Sequence, residues 1–172
     1  MSERKFIIDE YVTNFHLPRW KEIPTIGLYI DQVVSLLEYY LGNYVKSENE
    51  KEEKFVTKTM INNYVKHGVL NPPVNKKYNT EHIAYLFVIL ILKQIYSIGE
   101  IKKLITLAIN TSSVEDAYNR FCSEIEKAIK MTFTGESYIN NDKLSHEQYL
   151  LRNVVQSLAN KLYVQKTFLK ND

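Results

Sequence analysis

A single cysteine, Cys122, rules out a disulfide within the chain, so no oxidising compartment has left a mark and a reduced cytoplasm is the expected location. Five glycines are too scattered to build a phosphate-cradling loop. The histidines, His16, His67, His82 and His146, lie far apart and form no H-x-x-x-H pair, so zinc held on one helix face is not signalled. Long apolar runs are missing too. The greasiest stretch, Ile83 to Leu92, ends at Lys93 and is too short to cross about 30 Å of hydrocarbon as a helix; it reads as a buried helix. The N-terminal MSERKFIIDEYV has no unbroken apolar core of the signal-peptide kind. Cys122 sits beside Phe121 and Ile125 on the apolar side of a helical pattern, as a structural thiol would, and Glu52 and Glu53 fall in a charged run that keeps carboxylates solvated. The expectation is a protein that is not an enzyme, with no catalytic set, metal, cofactor or membrane partner.

What is present is ordinary soluble composition, 45% hydrophobic and 24% charged, in a chain of 172 residues that can bury a real core. The net charge of +2 hides a local imbalance. Between Lys54 and His82, five lysines (Lys54, Lys58, Lys66, Lys76 and Lys77) face the single acid Glu81. Inside that span, Thr57 to Ile83 reads TKTMINNYVKHGVLNPPVNKKYNTEHI. At about 100° per residue, Met60, Ile61, Tyr64 and Val65 share one side of a short helix, and Thr59, Asn62, Asn63 and Lys66 share the other. Thr57 can cap its start and Gly68 can close its end. Amides, a hydroxyl and a lysine without any carboxylate suit base edges and phosphates, so this polar side is the candidate reading face.

These residues also carry a resemblance. INNYVKHGVL followed by NPPVNKKYNTEHI is similar to the second helix, wing and third-helix entry of the MerR-type winged helix-turn-helix regulators, with Tyr64, Lys66, Gly68, Val69, Leu70, Pro72, Pro73, Lys77, Tyr78 and Ile83 in the matching places. SIGEIKKLI, Ser97 to Ile105, resembles the fourth helix more weakly. LPRW at Leu17 to Trp20 and IPTIGLYIDQVVSLL at Ile23 to Leu37 look like the opening of an uncharacterised bacterial family that carries this MerR-like domain. The resemblance implies an all-α fold, a MerR-like winged helix-turn-helix with a very short wing plus a C-terminal helical extension. It also implies double-stranded DNA as partner and a homodimer formed through C-terminal helices. The residues expected at the DNA are Lys58, Thr59, Asn62, Asn63, Lys66, His67, Lys76, Lys77 and Tyr78. Asn62 and Asn63 stand where that family usually has an arginine and an aromatic, and about a dozen residues from Gly42 to Val56 replace its tight turn, so the phosphate grip is expected to be weaker.

The remaining chain is expected to support that unit. Pro18 and Pro24 bracket a non-helical strap ending near Glu22, with Trp20 packed over the core and Arg19 available either to a phosphate or to a helix end. Ile30, Val33, Val34, Leu37, Leu41 and Tyr44 predict an amphipathic helix from Ile30 to Tyr44, and KSENEKEEK after it predicts a mobile loop. Pro72 and Pro73 forbid a regular central strand, leaving a short stiff wing with Lys76 and Lys77 near its tip. Tyr78 is either a phosphate contact or a core tyrosine. Thr80 is expected to cap a helix from His82 to about Tyr96 that is apolar all round and so must be surrounded. Ser97 with Glu100, Ser112 with Glu115, and Ser145 with Gln148 read as capping boxes of three further helices, with a loop from Thr132 to Lys143. The last helix carries Leu151, Val154, Val155, Leu158 and Leu162, a stripe for packing across the body or for a dimer seam. The division is a helix-turn-helix domain with its strap over 1–110 and a C-terminal helical pair over 111–172. Two functions fit: a sequence-specific DNA-binding transcriptional regulator, or an all-helical protein- or ligand-interaction module that no longer binds DNA.

Overall fold

The computed structural model describes residues 12, 14–45, 54–137 and 143–169. Most of the charged run expected to be a loop lies outside these residues. After a 3-10 turn at Trp20–Glu22 come β1 (Leu28–Tyr29), α1 (Ile30–Val45), α2 (Lys58–Lys66), β2 (Lys77–Tyr78), α3 (Thr80–Leu92), α4 (Ile98–Thr111), α5 (Val114–Thr134) and α6 (His146–Thr167). Among the described residues the fold is mostly helical, with two short strands.

α3 is the post around which the rest is built. Nine of its residues are buried, among them Ile83, Leu86, Phe87, Leu90 and Ile91. It packs against α1 and β2, and also against α4 and α5. A helix apolar on every side is stable only if each side is covered. Its cap is Asn79 rather than the expected Thr80. The Asn79 side chain accepts the His82 N–H at 3.0 Å, while His82 Nδ1 accepts the Asn79 N–H at 3.1 Å. Thr80 turns away and donates its hydroxyl to the Pro24 carbonyl. The helix stops at Leu92, earlier than Tyr96, because Gln94 and Ile95 make tighter bonds to carbonyls three residues back.

The boxes at Ser97 and Ser145 form as expected. The third shifts by one residue: Ser113, not Ser112, caps α5, with Asp116 in the partner place, and α5 runs on to Thr134, where Gly135 closes it at φ 74°. The stripe Val154, Val155, Leu158, Ala159 and Leu162 of α6 is buried along α5 within the monomer. Phe133 meets Tyr163 edge-on at 5.2 Å, and Gln156 donates to the Thr132 hydroxyl.

The strap before β1 closes onto α5. Tyr118 donates to the Pro18 carbonyl at 2.7 Å, and the Trp20 N–H reaches the Asn119 side chain at 2.9 Å. The Leu17 N–H and the Arg19 guanidinium both bond Glu126. Arg19 stands at the N-cap of the 3-10 turn, where its backbone N–H donates to the Glu22 carboxylate at 2.7 Å, and its guanidinium is committed to Glu126. It forms a two-pronged ion pair at 2.7 and 2.6 Å, with Glu126 holding the guanidinium firmly protonated. Trp20 packs edge-on to Tyr118. This strap belongs to the first expected division of the chain, and its partners belong to the second.

Candidate nucleic-acid interface

The proposed reading helix, α2, starts where the sequence suggests. The Thr57 hydroxyl accepts the Met60 N–H at 3.2 Å, and Gly68 ends the helix at φ 66°, where a residue with a side chain would be strained. The Gly68 N–H reaches the Val65 carbonyl, and the N–H groups of Val69 and Leu70 both reach that of Tyr64. Ile61 and Tyr64 are buried, and burial pushes the Tyr64 phenol up to about 12. Two contacts lock the entry: the Val56 N–H bonds Glu38 on α1, and Lys93 at the end of α3 lies over the Phe55 ring. One face is therefore fixed in the core.

Thr59, Asn62, Asn63, Lys66 and His67 are all exposed. Among the described residues, the side chains of Asn62, Asn63 and Lys66 have no partner. Both amides so keep their donor and acceptor pairs, and Lys66 keeps an unneutralised charge. Lys58 differs. Its ammonium pairs with Asp31 on α1 at 2.6 Å, with 54% and 72% of the two side chains exposed.

The segment expected to be a wing is a hairpin turn. Val74 and Lys77 exchange both backbone bonds, and Asn75 and Lys76 between them sit at φ 50° and 62°. Two consecutive left-handed residues make the turn whose twist matches paired strands. β2 then pairs antiparallel with β1, Leu28 opposite Tyr78 and Tyr29 opposite Lys77. Lys76 lies at the tip and is exposed, while Lys77 is exposed but leans over the Tyr29 ring at 5.3 Å. Gly27 makes room for that stem, since a Cβ there would stand 3.0 Å from Lys77 Cβ.

Tyr78 must be taken off the candidate surface. It is 3% exposed and packs edge-on against His82, because in a two-residue strand alternation turns Lys77 outward and Tyr78 into the core. One cation escaped the sequence reading. Lys102 on α4 brings its Nζ beside the end of α2, where a Cβ on Gly68 would lie 3.4 Å from it. The only hint was its place in SIGEIKKLI.

Cys122 is buried and its thiol is pushed up to about 12 by that burial. Among the described residues no group of three or more His, Cys, Asp or Glu side chains is placed to hold a metal ion, and no helix is long and apolar enough to cross a membrane.

The model of one protein family matches residues 18–121, more than half of the chain, from the strap through α4 and into α5. It is described as Domain of unknown function (DUF1836). The chain belongs to this family. Comparison of the DUF1836 chain with the curated proteins and with the solved structures gives no match.

Proposed function

We propose that this DUF1836 protein is a cytoplasmic, sequence-specific DNA-binding transcriptional regulator of the MerR-like winged helix-turn-helix type, acting as a homodimer on double-stranded DNA. One observation carries the reading: α2 is anchored by Ile61 and Tyr64 and turns only uncharged polar groups and cations outward. A rigidly anchored helix with open amides suits a major groove, where Asn can pair with an adenine edge. In this reading Asn62 and Asn63 contact base edges, with Thr59 beside them. Lys66, His67 and Lys102 at the C-terminal end of α2, with Lys76 and Lys77 on the wing, hold the phosphates. Two helices, α1 and α2, followed by a tight turn into β2 and then by α3 and α4 support this reading, although the partner strand β1 precedes α1.

The test is binding to fragments of the host genome over a salt series. Lys66→Gln should weaken all sequences alike and lower the salt slope by about one unit. Asn62→Ala should change sequence preference, by roughly 1–3 kcal/mol for a lost two-pronged base contact. If neither variant alters binding, α2 is not the reading helix. The pairing of Lys58 and the burial of Tyr78 leave fewer phosphate contacts than the sequence promised, which favours the alternative of an interaction module without DNA. Stable dimers on gel filtration that ignore DNA at low salt would establish that alternative.

A further inference from the structure

Away from α2, a pocket of about 120 Å³ opens between α3, α4, α5 and the first turns of α6. Its walls are aliphatic and aromatic, including Val88, Leu104, Ala108, Phe121 and Leu151. Water in such a space finds few hydrogen-bond partners, whereas a dry cavity of roughly 150 Å³ accepts a benzene-sized guest. The pocket is therefore sized for a ring or a short alkyl chain.

The polar groups around it are unequal. Thr111 and Ser112 donate their hydroxyls to carbonyls of α4, and Tyr118 donates to Pro18. Glu147 is held at the start of α6 by its own backbone N–H and by Ser145, which keep its carboxyl below the usual carboxylate range. Two groups remain. Arg120 is exposed on α5 and, among the described residues, has no partner; the Tyr85 hydroxyl has no hydrogen-bond partner there either. The ionised Glu147 is turned back on the start of its own helix, so an apolar cavity with an unpaired guanidinium and an idle hydroxyl on the α5 and α3 sides complements an amphipathic anion placed there.

We propose that this pocket binds a small apolar carboxylate, with its ring or alkyl chain inside and its carboxylate on Arg120. The site shares no residue with the proposed DNA surface, so it stands or falls separately from the DNA reading.

Trp20, the sole tryptophan, supplies the readout, because its ring centroid is 6.4 Å from that of Tyr118, a residue of the pocket wall. The full chain is titrated with 4-phenylbutyrate and with the neutral 4-phenylbutanol while Trp20 emission is followed. Both should give saturable changes. Arg120→Gln should weaken the acid about fivefold, as expected for a partly exposed charge pair, and leave the alcohol unchanged. Ala108→Phe, which adds a ring to an exposed position of the wall, should abolish both. No saturable change, an equal effect of Arg120→Gln on both compounds, or binding that survives Ala108→Phe would overturn the proposal. So would a dimer on gel filtration that Ala108→Phe dissociates, since the pocket would then be filled by a second copy of the chain.

Discussion

Arg19 on the strap and Lys66 on α2 are both long cations beside the same core, yet Glu126 clamps Arg19 with two bonds while Lys66 has no partner among the described residues. The side chains of Arg19 and Glu126 are only 30% and 20% exposed, so each would be costly without the other. Lys66 stays in water and costs nothing unpaired. Charge used to hold the fold is thus satisfied inside the molecule, and charge left unsatisfied on a rigid element is available to something outside it. Lys58 lies between the two cases, bonded to Asp31 but well exposed.

Loss of the clasp should have the largest effect. Glu126→Ala leaves Arg19 partly buried without a counter-charge and removes the acceptor of the Leu17 N–H, so unfolding in urea should show a loss of about 2 kcal/mol, discounted for partial exposure. On the proposed DNA-binding reading, the salt slope should not move in this variant; a changed slope would mean that the two ends are not separate. Next comes Lys76→Gly at the wing tip. Relief of the left-handed strain at φ 62° should stabilise the fold by about 1 kcal/mol, while the lost charge lowers the salt slope by about one unit. Unchanged DNA binding would take the wing out of the interface. The smallest effect is expected from Asp31→Asn, which releases Lys58 from an exposed pair. Thermal unfolding should shift by less than about 0.5 kcal/mol equivalent, and DNA affinity should rise at low salt and converge with the parent at high salt. Weaker binding by this variant would place Asp31 in a supporting role.

Much of this was legible because helix period is a local property. Met60, Ile61, Tyr64 and Val65 declare the inner face of α2 from spacing alone, and the all-round apolar run of α3 announces a surrounded post. Caps were legible to within one residue. Asn79 and Thr80, like Ser112 and Ser113, are neighbours that can each serve, and the choice fell to the residue whose third successor, His82 or Asp116, also faces it. Strand β1 was invisible, since two residues gain their identity only from Lys77 and Tyr78 far along the chain. The Arg19 clasp was equally hidden, because nothing in LPRW points to Glu126. Tyr78 was ambiguous for a related reason: its direction depends on which strand face meets α3, and pairing decides that.

The strap joins segments that are synthesised far apart. Leu17, Pro18 and Trp20 leave the ribosome before Glu126, Tyr118 and Asn119, which follow roughly a hundred residues later, a wait of roughly 5–20 s at about 5–20 residues per second. Until α5 emerges, a tryptophan and a leucine have no home, so a nascent chain halted before that helix carries a sticky leading end that a chaperone would recognise.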